Sequence, residues 1–250
     1  MKNYAEQYHK ETSVGLSENL SKTDRFVMYK TGPVLWVNHG MGIPSLSICL
    51  QECIKLMYYA ETTDVTFMRL GTSGGLGVEP GTVVISTGAI NEFLKPEYIQ
   101  AVLGKKVKHD AILDKALSDE LYECRRFVNT PVEKGITMGT DCFFEGQARL
   151  DGPFCDYSSE DATAFLRKLY ELGVRNVEME CNCFAAITYR AGIRSAIICV
   201  TVVDRLHDDT LKIQKPIFLS PKAFREYEMR TFKLASAYFK DRLANIANNK

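Results

Sequence analysis

The sequence predicts an α/β domain with a central mixed, mostly parallel β-sheet flanked by helices. Three observations predict it. A strand-like run, an amphipathic helix and a second strand-like stretch follow one another at residues 34–37, 44–59 and 65–86, the order of a βαβ unit. The most apolar runs, 34–37 and 194–203, are near-continuous rather than alternating, as expected of strands covered on both faces. Helical periodicity recurs between such runs and closes the chain at 221–244. With 250 residues, 46% of them hydrophobic and 25% charged, residues 1–250 read as a single domain with one sizeable core. No internal repeat, low-complexity tract or linker interrupts it.

Taken in order, residues 1–23 are polar, with a helix expected around 4–11 and no signal-peptide pattern. A strand at 24–30 enters a turn at Thr31-Gly32-Pro33, and 34–37 reads as a strand buried on both faces. The helix over 44–59 starts at Pro44, a residue suited to a first turn. Between the two β-rich runs of 65–86 lie Gly71-Thr72-Ser73-Gly74-Gly75-Leu76-Gly77, whose glycines can turn backbone N–H groups inward around an anion. A helix is expected at 110–125, a short strand at 135–140, and a helix at 158–172 capped by Ser158-Ser159-Glu160-Asp161. A strand at 176–179, a helix at 180–191 stopped by Gly192 and a strand at 194–203 complete the pattern.

Lys+Arg and Asp+Glu balance at 31 each, and no Lys/Arg run exceeds two residues, which argues against a nucleic-acid or membrane surface while allowing a small basic pocket. No apolar run approaches the roughly 18 residues of a membrane span. The eight cysteines form no disulfide or zinc framework and read as reduced structural thiols of a cytoplasmic protein.

Polar residues at strand ends are where α/β folds carry chemistry. Arg69 with Thr72 and the glycine-rich backbone suits a phosphate; a plain Gly-rich turn with a surface arginine is the competing reading. Gln147 and Arg149 offer amide and guanidinium groups to a planar ring with acceptor–donor–acceptor edges, with Phe143 stacking beside it; a solvated loop is the alternative. Glu180 suits a sugar diol, or a helix-terminus charge. His39 is either an acid–base group or a hydrogen-bonded turn residue.

Together the segments Arg69-Leu70-Gly71-Thr72-Ser73-Gly74-Gly75, Phe143-Phe144-Glu145-Gly146-Gln147-Ala148-Arg149-Leu150-Asp151-Gly152 and Val177-Glu178-Met179-Glu180 resemble the signatures of uridine phosphorylases of the nucleoside phosphorylase-I family, the animal type more than the bacterial. The resemblance runs from about Thr23 to the C-terminal helix and implies a nucleoside phosphorylase-like fold. It implies the reaction uridine + phosphate ⇌ uracil + ribose 1-phosphate, without a cofactor, phosphate being co-substrate. On these residues it places Arg69, Gly71 and Thr72 at phosphate, joined by Arg25 of the neighbouring subunit of a homodimer. It places Gln147 and Arg149 at uracil, Glu178, Met179 and Glu180 at ribose, and Phe143, Val203 and Arg205 around the substrate.

Three departures qualify the resemblance. Family members carry, ahead of the region matching Met1, a first strand with another phosphate-binding arginine, so this chain is expected to be a shortened form with weak or no phosphorolysis. Asp204 stands where uridine phosphorylases usually have Asn and purine phosphorylases a catalytic Asp, which leaves a purine-accepting enzyme as an alternative. Phe26 follows Arg25 where bacterial relatives bind potassium through Glu, so no metal is expected. A catalytically silent binding or dimer-partner homologue is the reading from a different class.

Overall fold

A computed structural model describes residues 1–206 and 219–248. In chain order the elements are α1 (Lys2–Thr12), β1 (Val27–Thr31), β2 (Val34–Asn38), α2 (Ile43–Tyr59), β3 (Thr66–Gly75), β4 (Val83–Ile90), β5 (Glu97–Val102), β6 (Lys105–Asp110), α3 (Lys115–Glu123), β7 (Val132–Gly139), α4 (Ser159–Glu171), β8 (Val174–Glu178), α5 (Cys181–Arg190), β9 (Arg194–Asp204) and α6 (Pro221–Asn248).

The organising strand is β9. Along it Ile197 and Cys199 face α2 and α5, while Ala196, Ile198 and Val200 face α3 and α6. Both faces of its period-2 alternation are therefore buried, and this is why its sequence is apolar without interruption. It runs parallel to β3 and antiparallel to β4, β4 runs parallel to β7, and β7 parallel to β8. Gly74 and Gly75 at the end of β3 then pair antiparallel with β8, so the mixed, mostly parallel sheet curls closed in the order β3-β8-β7-β4-β9. Helix α4 covers β7 and β8 through Ala162, Leu166 and Leu169. Its N-terminus carries the expected capping box, with Ser158 and Asp161 satisfying each other's backbone N–H.

Three expectations are corrected. The run 34–37 is not a doubly buried sheet strand: β2 pairs only with β1 in a separate antiparallel hairpin, and of its residues only Trp36 is buried, among Tyr4, Tyr8, Phe232 and Phe239. The βαβ unit drawn from β2, α2 and β3 is therefore absent, although the parallel sheet it was used to predict is present. Second, the stretch at 71–75 is not an anion-cupping loop. It continues β3, with Gly71 opposite Cys199 and Thr72 opposite Val200, so its backbone belongs to the sheet ladder. Third, the helix expected at 110–125 is only α3, which begins after the Asp114 cap; Asp110 ends the β5–β6 hairpin, and 111–114 connect that hairpin to the helix. All eight cysteines are free thiols.

Candidate active site

Because β3 continues through the glycines, with a register shift against β9 only between Ser73 and Gly74, Arg69 and Thr72 lie within a strand rather than at its end. The Arg69 side chain is 8% exposed and meets the strand-to-helix junction between β8 and α5. There Glu178 accepts hydrogen bonds from the backbone N–H groups of Glu180 (2.9 Å) and Cys181, capping the positive end of α5. Nη2 of Arg69 is held between the carboxylates of Glu178 and Glu180, and Nη1 approaches the Cys199 thiol at 3.6 Å. Nε of Arg69 is buried without a partner among the described residues. A Cβ at position 71 would press on the Arg69 guanidinium, which the two carboxylates hold in place.

One guanidinium between two buried carboxylates leaves an excess negative charge, which makes one of them easier to protonate and the other harder. Burial, reinforced by Glu180, holds the Glu178 carboxyl above the usual range. Burial acts on Glu180 in the same sense, but Arg69, Glu178 and the Gly42 N–H outweigh it, and Glu180 stays below the usual range. Burial pushes the Cys199 thiol up to about 12 against the pull of Arg69, so it is not a nucleophile at neutral pH. The segment after β2 closes over this end: Gly42 donates its N–H to Glu180 Oε1.

At the other end, a 3-10 turn at Glu145–Gln147 leads into Ala148, which has φ of 52°. Arg205, buried beneath the turn, donates from Nη2 to the Gln147 carbonyl at 2.8 Å and the Ala148 carbonyl at 3.4 Å. Burial, and then Arg149, lower its pKa to about 10, leaving it charged at neutral pH. Arg149 donates through Nε to Asp151 at 2.8 Å, is also paired through Nη2, and lies 4.4 Å from the centre of the Phe143 ring. The Gln147 side chain is buried, and its carboxamide makes no hydrogen bond to another described residue.

Both ends open on one cavity of about 930 Å³, lined by Arg69, Gly71, Thr72, Phe143, Gln147, Arg149, Glu178, Met179, Glu180, Val203 and Arg205. Eleven of the twelve residues that the resemblance places in the site thus share one space, large enough for a nucleoside and an anion together. Arg25 does not line it; it is exposed, just before β1. Asp204 does not line it either: its Oδ1 accepts from the N–H groups of Gly77 (2.9 Å) and Leu206 (3.0 Å). Sequence reasoning missed Asp151 as the partner of Arg149, although the spacing Arg149-x-Asp151 carried a signal, and Gly42 as the backbone partner of Glu180, for which there was none.

The family model of the phosphorylase superfamily matches residues 1–240. A uridine and thymidine phosphorylase of Caenorhabditis elegans is 54% identical over 237 residues, covering 95% of this chain and 78% of that protein. Uridine phosphorylase 2 of Mus musculus is 44% identical over 249 residues, covering 97% of this chain and 76% of that protein. Among solved structures, uridine phosphorylase from Schistosoma mansoni in complex with uracil superposes with a TM-score of 0.89 at 39% identity, covering 96% of this chain and 82% of that one. Its complex with thymidine superposes with a TM-score of 0.91, again at 39% identity, over 97% and 82% of the two chains. Sequence, fold and the joining of three distant segments around one cavity agree, and the chain belongs to the uridine phosphorylases of the phosphorylase superfamily.

Proposed function

We propose that the protein catalyses the reversible phosphorolysis of uridine to uracil and ribose 1-phosphate. The observation that carries this reading is the single cavity with Arg69 and Thr72 at one end, Gln147 and Arg149 at the other, and Glu178-Met179-Glu180 at the first end's rim. A phosphate oxygen attacks C1′ of the ribose as the C1′–N1 bond breaks, and the bond's electron pair leaves with the uracil. Arg149 and Gln147 stabilise charge as it develops on the base, Arg69 and Thr72 hold the attacking anion in line, and Glu180 holds the ribose hydroxyls. Phosphate is the co-substrate, and no step calls on a cofactor or a metal. Uracil that leaves as an anion takes its proton from solvent.

The reading includes a homodimer in which Arg25 of the neighbouring subunit completes the phosphate site. It also includes a strand, with a further arginine, added along the edge of β3. From Thr66 to Ser73 that edge has no strand partner among the described residues, and the same residues line the cavity. Asp204, held by two backbone amides away from the cavity, lends no support to a purine-accepting enzyme.

A second reading, a catalytically silent nucleoside-binding or dimer-partner protein, is favoured by the pairing of Arg69 with two carboxylates, which leaves that end without surplus positive charge. Uracil release from uridine, measured with and without phosphate and beside inosine, separates the readings. Release that requires phosphate and prefers uridine supports the proposal; binding without release supports the silent protein; release without phosphate overturns both. Arg149→Ala is expected to lower kcat/KM for uridine by roughly 10²–10³ while the fold persists, and an unchanged value removes the base-recognition assignment.

A further inference from the structure

His39 follows Val37 and Asn38 at the end of β2, lines the same cavity, and has no role in the reaction as derived above. Its surroundings dictate what it can offer a ligand. Ser45, on the first turn of α2, gives its one hydroxyl hydrogen to the His39 carbonyl. The Ser45 oxygen therefore turns a lone pair toward Nδ1, 3.5 Å away. That arrangement favours the tautomer with its proton on Nδ1 and leaves Nε2 as a bare acceptor. No described residue donates to Nε2.

The charged groups nearest the ring are Arg69 and Glu180. Burial first, and then Arg69, lower its pKa below the ordinary value, against a smaller opposite pull from Glu180. At neutral pH the ring is thus uncharged, in a wall where Arg69 can only donate, the Thr72 hydroxyl can donate or accept, and Glu180 is an ionised acceptor. An uncharged acceptor beside an anion site has a specific use. Hydrogen phosphate carries one O–H to donate, whereas sulfate, of the same charge and nearly the same shape, carries none.

We propose that His39 is the residue that selects hydrogen phosphate in this site, accepting the O–H of HPO4²⁻ through Nε2. This rests on the reading of the Arg69 end as the phosphate side. The other O–H groups within the cavity would be those of the ribose, and Glu180 already supplies an ionised acceptor for them.

The test is equilibrium dialysis of the full chain against labelled inorganic phosphate and labelled sulfate at pH 7.5, without nucleoside, for the wild type, His39→Ala and His39→Gln. The wild type is expected to hold phosphate roughly tenfold to hundredfold more tightly than sulfate, the contribution of one hydrogen bond to a charged partner. His39→Ala should lose that preference while sulfate affinity stays within about twofold. His39→Gln, whose carboxamide oxygen can accept from a similar place, should recover part of it and guards against loss of fold as the cause. Equal loss of both anions, an unchanged preference in His39→Ala, or no phosphate binding by the wild type overturns the proposal. Uridine cleavage assayed on the same samples keeps the two readings apart. Phosphate selectivity that depends on His39 in a protein that leaves uridine intact sinks the activity and spares this inference, and cleavage with selectivity indifferent to His39 does the reverse.

Discussion

Arg69 is held by its charge partners more than by its packing. Removing a guanidinium from between two buried carboxylates leaves them facing one another, and breaking such a buried cluster costs about 3–5 kcal/mol. Arg69→Met is therefore expected to lower the free energy of unfolding by about that amount in urea titration, with Glu178→Gln added to Arg69→Met recovering a share of it. The two carboxylates differ in sign. Glu180 has its folded pKa depressed, so its contribution is present above the unfolded value of about 4.5 and is lost as pH falls through the folded value. Glu178 has its folded pKa raised, so its contribution is present below that unfolded value and is lost as pH climbs through the folded one. At pH 7.5, then, Glu180→Gln should lower the thermal midpoint and Glu178→Gln should leave it level or raise it; at pH 4 the cost of Glu180→Gln should shrink. Equal effects of the two substitutions at pH 7.5 would contradict this division. Arg69, Gln147 and Arg149 were legible in the sequence because their chemistry is written in their own side chains. The pairing of Arg69 with Glu178 and Glu180 was not, since the partners lie more than a hundred residues away along the chain.

Elements were legible where local chemistry decides them. In α4 the cap, the acidic first turn and the apolar period all agree, and the helix appears within a residue of its expected bounds. The Ser158 hydroxyl accepts from the Asp161 N–H, so Ser158→Ala is expected to cost about 1 kcal/mol by chemical denaturation and to leave uridine turnover unchanged. The β5–β6 hairpin was hidden for the opposite reason. Its second strand is rich in lysine, and its turn places Leu103, with φ of 49°, beside Gly104 at 76°, where Asn-Gly would have announced the same backbone. The error at β2 has a different source: four apolar residues in a row suit a buried parallel strand as well as a hairpin, and only contacts with α1 and α6 choose between them. Strand β3 failed to show its length because glycines read as a turn, whereas here they make room, Gly71 for the Arg69 guanidinium and Gly75 for the backbone of Val78 and Val203.

At the scale of the whole molecule, the closure of the sheet brings the two ends of the site together. Gly74 and Gly75 pair with Val177 and Asn176, so the strand bearing Arg69 is stitched directly to the strand that ends in Glu178. A contact two residues long leaves no mark in either strand's composition, and curvature of this kind is not legible in a sequence. The same closure explains why Arg25 stands apart. It precedes the β1–β2 hairpin, outside the closed sheet, and is exposed in a single chain. A site that takes Arg25 from a second chain has a consequence that no single-chain arrangement shares. Arg25→Ala and Arg149→Ala, each prepared alone, should both be nearly inactive. Mixed in equal amounts and allowed to exchange, half the dimers would pair one variant with the other, and each such dimer holds one site with both defects and one with neither. Activity should therefore return to about a quarter of the wild-type value per chain. Complementation of that size, lost when the two variants are cross-linked as separate dimers before mixing, is expected only of a site built across two subunits; a mixture no more active than its parts would return Arg25 to the solvent-exposed surface it occupies in one chain.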